Sequence, residues 1–63
     1  DFRIYEGVLY IDKMIGDSIR LSVYQVDGSV IIDKDIYTTP YQLPLEAGMY
    51  LVRVNNHIKK VII

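Results

Sequence analysis

One segment in the middle of this chain decides its fold class, because two strand-forming runs flank a turn there. The segment is Ile19-Arg20-Leu21-Ser22-Val23-Tyr24-Gln25-Val26-Asp27-Gly28-Ser29-Val30-Ile31-Ile32-Asp33-Lys34-Asp35-Ile36. Residues 19–26 form the clearest strand-forming run, and apolar and polar side chains alternate from Ile19 to Val23, as in a strand with one buried face. Asp27-Gly28 is a strong hairpin signal between the two runs. The segment therefore predicts an antiparallel β-hairpin.

The register of this hairpin follows from the two faces that each loop length would create. A two-residue loop at Asp27-Gly28 gives one mostly aliphatic face and one face with an ion pair. It opposes Ile19 to Ile36, Arg20 to Asp35, Leu21 to Lys34, Ser22 to Asp33, Val23 to Ile32, Tyr24 to Ile31 and Gln25 to Val30. A three-residue loop would oppose Arg20 to Lys34 and Leu21 to Asp33. Because a slip by one residue exchanges the two faces, we prefer the two-residue loop.

Short strand-forming runs separated by turn residues make up the rest of the chain. Strands are predicted at residues 2–5, 8–12, 49–54 and in the run that ends at Ile63; turns are predicted at Glu6-Gly7, at residues 14–18 and at residues 46–48, and a connector at residues 37–40. Residues 41–45 also alternate, but proline cannot donate to a ladder, so we predict an edge strand there. Six or seven strands at near-regular spacing predict an all-β fold. We expect a small antiparallel immunoglobulin-like β-sandwich, formed by residues 1–63 as a single domain.

The last hairpin carries apolar side chains on both of its faces. We predict a three-residue loop from Asn55 to His57, since asparagine tolerates the left-handed region, and a positive φ angle at Gly48. This loop opposes Met49 to Ile63, Tyr50 to Ile62, Leu51 to Val61, Val52 to Lys60 and Val54 to Ile58, with Arg53 facing Lys59. Such a hairpin is either covered by the rest of the fold or a docking surface whose edge pairs with a partner strand. From the residue pattern alone we favour the covered hairpin.

Size and charge narrow the classes of function. The 63 residues support one small domain, and a net charge of −1 with interspersed signs argues against nucleic-acid binding. There is no cysteine for a disulfide or a thiolate metal site. No apolar run approaches the roughly 18 residues that span a bilayer. The sequence starts at Asp1 without a start methionine, so we expect an excised piece of a longer protein.

The reactive side chains predict that the chain is not an enzyme. His57 is the only histidine and lies in a predicted loop, and no serine has a histidine placed to activate it. Asp33 and Asp35 share a strand face, as a calcium site would need, but the nearby Arg20 favours an ordinary charged face. We therefore expect no metal and no other cofactor. The six tyrosines favour half-buried sheet positions over a sugar-binding platform.

Three stretches follow one another in a distinctive order between residues 19 and 63. Residues 21–31 are a strand–turn–strand run, and residues 43–54 combine a short turn, Gly48-Met49-Tyr50 and an alternating strand. Residues 59–63 close the chain with two lysines and three aliphatic residues. In this order and spacing they resemble the C-terminal sorting domains of proteins exported by the type IX secretion system of Bacteroidetes.

The resemblance implies a β-sandwich that forms the C-terminal piece of a longer exported protein. It would be recognised by the outer-membrane secretion machinery and commonly cut from its cargo by a sortase-like peptidase. Its location would be the periplasm in transit to the outer membrane, the cell surface or the extracellular space. The recognition residues carried over by position are Gly48, Tyr50, Val52, Lys59, Lys60, Val61, Ile62 and Ile63, while Gly28 would serve the hairpin.

Two other interpretations remain open. The first is an immunoglobulin-like accessory or adhesive module of a cell-surface or carbohydrate-active protein. The second is a homodimer formed through an uncapped edge strand.

Overall fold

The computed structural model describes residues 2–14 and 16–63. This part of the chain contains seven β-strands and no helix, and hence no helix long and apolar enough to cross a membrane. The strands are β1 (Arg3–Tyr5), β2 (Val8–Ile11), β3 (Ile19–Gln25), β4 (Val30–Ile36), β5 (Tyr41–Pro44), β6 (Met49–Val54) and β7 (His57–Ile62). The predicted all-β class is confirmed. The turn predicted at residues 14–18 includes Ile15, which lies outside the described residues.

The strands form two antiparallel sheets. One has three strands in the order β1-β2-β5, and the other has four in the order β4-β3-β6-β7. The chain leaves the first sheet after β2, returns to it for β5 and crosses again to β6. Among the described residues β5 pairs only with β2, so the edge strand predicted from its proline content is confirmed. The connector between β4 and β5 contains a cis Thr39-Pro40 bond.

Both sheets contribute to one hydrophobic core. Leu9 and Ile11 come from the three-stranded sheet, and the larger share comes from the inner face of the four-stranded sheet. The buried residues of that face are Ile19, Leu21, Val23, Ile36, Tyr50, Val52 and Val54. The alternation seen in the sequence of β3 and β6 therefore places one set of side chains in the core and the other set outside.

The predicted register of β3 with β4 is confirmed along most of the hairpin and wrong at its turn. The pairs from Ile19 with Ile36 to Val23 with Ile32 are as predicted. Tyr24, however, faces Val30, because Ile31 is an extra residue at a bulge. The loop has three residues, closed by hydrogen bonds from Gly28 N to Gln25 O (2.9 Å) and from Gln25 N to Ser29 O (2.8 Å).

A backbone conformation explains this longer loop. The usual two-residue turn for Asp-Gly needs positive φ at both residues, but only Gly28 adopts it, at 95°. A three-residue loop needs a positive φ only at its last position, where the sequence supplies glycine. The bulge at Ile31 then restores the register that keeps Leu21 and Val23 in the core.

The predicted register of β6 with β7 is wrong by one residue. The loop is Asn55-Asn56, so that Val54 faces His57, Arg53 faces Ile58, Val52 faces Lys59, Leu51 faces Lys60, Tyr50 faces Val61 and Met49 faces Ile62. Asn55 has a φ of 53°, and it exchanges two hydrogen bonds with Arg20 of β3: Arg20 N donates to Asn55 Oδ1 (3.0 Å) and Asn55 N donates to Arg20 O (2.9 Å). These contacts fix Asn55 as the first loop residue. The shorter loop also avoids the repulsion of Arg53 by Lys59.

Candidate recognition strand

β7 is an edge strand of the four-stranded sheet. Its one strand neighbour in the described chain is β6, so one side of its backbone has no ladder partner there. The side chains from His57 to Lys60 are exposed, as is that of Ile62 (72% accessible). Val61 and Ile63 are half-buried and pack against the core. The last strand is therefore anchored by two aliphatic side chains and open along its edge.

The hydrogen-bond pattern shows which backbone groups of β7 face the open edge. Gly48 and Ile63 exchange both bonds, with Gly48 N donating to Ile63 O (3.1 Å) and Ile63 N donating to Gly48 O (2.8 Å). Hydrogen-bonded and non-hydrogen-bonded pairs alternate along an antiparallel ladder. The backbone N–H and C=O groups of Ile58, Lys60 and Ile62 therefore point away from β6 and remain accessible to another strand.

The two lysines of β7 add positive charge to this edge. Successive side chains of a strand point to opposite faces, so Lys59 and Lys60 extend from opposite faces of the sheet. Neither lysine has an ion pair among the described residues. Exposed lysines also keep an open edge from pairing indiscriminately, because a second strand must neutralise or avoid their charge. The two lysines therefore disfavour nonspecific pairing of this edge.

The other predicted recognition residues lie inside the domain. Val52 is fully buried and Tyr50 is 5% accessible, so a partner of the folded domain cannot contact most of their surface. Gly48 is exposed and its φ is 157°, which agrees with the predicted sign. The structure thus separates Tyr50 and Val52, which form the core, from Lys59, Lys60 and Ile62, which are accessible.

The hydroxyl of Tyr50 has a structural partner that the sequence analysis missed. It donates a hydrogen bond of 2.7 Å to the backbone oxygen of Glu46, in the connection that carries the chain from β5 to β6. A tyrosine near the start of a strand, bonded back to the corner that precedes it, is a recurring device of β-sandwiches. The sequence that could have predicted this bond is Glu46-Ala47-Gly48-Met49-Tyr50, a turn followed at once by a tyrosine.

The charged side chains of β3 and β4 form a network on the outer face of the sheet. Arg20 Nε lies 3.0 Å from Asp33 Oδ1, and Arg20 Nη1 lies 3.4 Å from Asp35 Oδ1. The buried Ser22 hydroxyl donates to Asp33 Oδ1 at 2.7 Å. The hydrogen bonds from Arg20 and then Ser22 hold the pKa of Asp33 below its usual range. The two carboxylates are therefore partners of an arginine, as expected for a charged strand face.

The described part of the chain contains no group of three histidine, aspartate or glutamate side chains placed to hold a metal ion. One shallow cleft of about 220 Å³ lies beside Gly48 and the turn after β3. A second of about 200 Å³ lies beside Tyr37 and Tyr41. Both are smaller than the roughly 300 Å³ at which small-molecule sites usually begin. The open edge of β7, with its outward backbone groups and exposed lysines, is the candidate functional site.

Comparison with known proteins adds no relative: no family model, no curated protein and no solved structure matches the chain.

Proposed function

We propose that this domain is a sorting signal for export by the type IX secretion system, and that the outer-membrane machinery recognises it through β7. The open edge of β7 is the observation that carries the proposal. Its outward N–H and C=O groups provide main-chain hydrogen bonds to an added strand, while its alternating side chains provide specificity. Lys59, Lys60 and Ile62 are the exposed residues that such a strand would meet.

The sequence resemblance supports the remaining steps. The domain passes through the periplasm to the outer membrane, and a sortase-like peptidase then separates it from its cargo at the cell surface. In this proposal Gly48, Tyr50 and Val52 recur in sorting domains because they build the corner and the core. Residues 59–63 carry the recognition, with Val61 and Ile63 as the side chains that anchor β7.

The proposed architecture is an immunoglobulin-like sandwich. The immunoglobulin constant fold has sheets ABED and CFG, and its variable form places a further strand beside C. If β1 to β7 are strands A, B, C, C′, E, F and G, the observed orders become ABE and C′CFG. The hydrogen bond of Tyr50 at the corner between β5 and β6 supports the same assignment, since the tyrosine corner occurs between E and F.

A second candidate function is an accessory or adhesive module of a cell-surface or carbohydrate-active protein. The corner hydrogen bond of Tyr50 favours this candidate, because tyrosine corners occur in immunoglobulin-like modules whatever their function. In such a module β7 would be an ordinary outer strand, and its lysines would serve only to keep the edge soluble.

Localisation of a reporter tests the first proposal against the second. A reporter protein is fused ahead of the domain and expressed in a bacterium with a functional type IX system and in an isogenic export-deficient strain. We expect surface or extracellular reporter only in the competent strain, and loss of export when the domain is removed. A reporter that stays in the periplasm of both strains would overturn the sorting proposal and favour the adhesive module.

Deletion of residues 59–63 is a further variant, and we expect it to abolish export. It also removes the packing of Val61 and Ile63 and the backbone bonds between Ile63 and Gly48. Its result therefore has to be compared with a circular dichroism spectrum of the isolated variant. Loss of export supports recognition through residues 59–63 only if the variant keeps the circular dichroism spectrum of the folded domain.

A further inference from the structure

The last hairpin of the chain is basic, although the chain as a whole is slightly acidic. Residues 49–62 contain Arg53, Lys59 and Lys60 and no aspartate or glutamate, whereas the net charge of the chain is −1. The ion pairs found among the described residues all lie outside this hairpin. The residues that face the two lysines across the ladder are aliphatic. The positive charge of β7 is therefore not neutralised by the described part of the chain.

The side chains of β7 form a definite pattern along its open edge. Ile58, Lys60 and Ile62 lie on the outer face of the sheet, and their N–H and C=O groups point to the open edge. Lys59 and Val61 lie on the opposite face. From Ile62 back to Ile58, the edge thus presents two aliphatic residues, two lysines and a further aliphatic residue.

We propose that β7 binds an extended partner strand in which two consecutive acidic residues face Lys60 and Lys59, with aliphatic residues on either side of them. Directly opposed side chains of an antiparallel pair have Cβ atoms about 4.5–5.5 Å apart, and opposite charges there stabilise the pair. Consecutive residues of the partner also point to opposite faces, so each carboxylate lies on the face of its own lysine. The backbone of β7 supplies affinity, and the lysines supply specificity.

This inference rests on the proposed function, because it names the chemistry of the strand that the export machinery would provide. The same charges disfavour a second copy of the chain as the partner. The two longest registers of an antiparallel β7–β7 pair place Lys60 opposite Lys60 or Lys59 opposite Lys59, and directly opposed like charges are destabilising. β4, the other edge of this sheet, contains two aspartates and one lysine. It therefore offers an acidic strand no comparable attraction.

Titration of the isotope-labelled domain with short peptides tests the partner chemistry, and amide chemical shifts locate the binding. The probe is the blocked peptide TVVEEVT, which places its glutamates opposite Lys60 and Lys59 and otherwise uses residues suited to strands. The peptide TVVQQVT keeps the shape and removes the charge. The peptide TVEVEVT keeps the composition and the charge but points both glutamates to one face, so only one of them can lie opposite a lysine.

We expect shifts at the outward amides of Ile58, Lys60 and Ile62. In dilute buffer TVVEEVT should bind about tenfold more tightly than TVVQQVT and about threefold more tightly than TVEVEVT, since each exposed cross-strand ion pair contributes about threefold. The advantage over TVVQQVT should disappear near 1 M salt, where the screening length is about 3 Å.

Several results of the titration would overturn the proposal. Equal affinities of TVVEEVT and TVVQQVT would show that the lysines select nothing, and equal affinities of the two acidic peptides would contradict the consecutive pattern. Shifts that map to β4, or an absence of binding, would remove β7 as the site. Shifts of β7 that grow with protein concentration before any peptide is added would make a second copy the partner.

Lys60→Glu tests the contact from the side of the domain. It should weaken binding of TVVEEVT by about tenfold, because attraction becomes repulsion, and leave binding of TVVQQVT nearly unchanged. Binding of the neutral peptide also shows that the variant is folded. Lys13→Glu makes the same change of net charge in the connection after β2 and is the matched control. Equal effects of the two substitutions would show that net charge sets the preference, and would overturn the proposal.

Export of the reporter separates this inference from the proposed function. Export that falls with Lys60→Glu and not with Lys13→Glu would support both. Loss of export in Lys60→Pro with unmodified export in Lys60→Glu would keep recognition through the edge and overturn the acidic partner. If the unmodified domain is not exported, the proposed function is overturned, and the peptide affinities alone decide whether β7 prefers an acidic strand.

Discussion

Tyr50 shows how one residue of a sequence signature can serve the fold. Its ring belongs to the core, and its hydroxyl reaches the backbone of Glu46 in the preceding connection. The Gly48-Met49-Tyr50 element is thus explained by the corner between two sheets. A tyrosine with this role marks an architecture, and it says nothing by itself about a partner.

Tyr50→Phe removes the corner hydrogen bond and keeps the ring. We expect the free energy of unfolding to fall by about 0.5–1.5 kcal/mol, the usual net value of such a bond. Urea denaturation followed by circular dichroism measures the change. Tyr5→Phe, at an exposed position, should stay within about 0.5 kcal/mol of the unmodified protein. A loss at Tyr50 no larger than that at Tyr5 would show that the corner bond contributes nothing.

Asp33 makes the stability of the domain depend on pH. Its pKa is lowered in the folded protein, chiefly by the hydrogen bond from Arg20. A carboxyl group with a depressed folded pKa stabilises the fold above its unfolded pKa of about 3.9, and this contribution is lost as pH falls through the folded value. We therefore expect Asp33→Asn to reduce the loss of stability on acidification below about pH 4.

Urea denaturation at a series of acidic pH values measures this effect. Arg20→Gln should also flatten the pH dependence, since it removes the first cause of the lowered pKa of Asp33. An Asp33→Asn protein whose stability falls with acid as steeply as that of the unmodified protein would contradict this role of the Arg20–Asp33 contact.

The hairpins show what the sequence can specify about an element and what it leaves open. In β3 and β4 the alternation of side chains determined the faces, and the ladder from Ile19 to Val23 was predicted correctly. The turn was not, because a bulge at Ile31 allows a three-residue loop and the core register to coexist. Counting residues from a turn fails wherever a bulge adds one.

The last hairpin failed for a different reason. Both faces of β7 carry aliphatic residues. A shift of the register by one residue therefore still places aliphatic side chains on the inner face, and the sequence pattern does not distinguish a two-residue loop from a three-residue loop. The choice is made by Asn55, whose side chain and backbone both bond to Arg20 of β3. A contact between residues 35 positions apart is not visible in a local pattern.

Gly28 tests the observed turn of the first hairpin. Its φ of 95° is unfavourable for a side chain, although a Cβ there would meet no atom within 4 Å. We expect Gly28→Ala to lower the free energy of unfolding by about 1–2 kcal/mol through backbone strain alone. Gly28→Asn should cost less, because asparagine tolerates positive φ. Equal stability of the alanine variant and the unmodified protein in urea denaturation would contradict the assigned turn.

At the scale of the whole molecule, the sequence predicted the class of fold better than the location of the site. Alternation and turn residues predicted six or seven strands where the structure has seven, and proline predicted the edge position of β5. They did not indicate that Tyr50 and Val52 are inside while Lys59, Lys60 and Ile62 are outside, because that division depends on which strands are central in the sheet. The order β4-β3-β6-β7 makes β6 internal and β7 an edge.

The most direct test of the export proposal is localisation of the reporter fused to a Lys60→Pro domain. The Lys60 N–H points to the open edge, so proline there removes a donor for an added strand without breaking the ladder with β6. Lys60→Thr removes the same side chain and keeps the N–H. Circular dichroism should show both variants folded. We predict that Lys60→Pro loses export, while Lys60→Thr loses only the contribution of the lysine side chain and exports more than Lys60→Pro. Export of a folded Lys60→Pro fusion at the unmodified level would contradict recognition through the edge of β7.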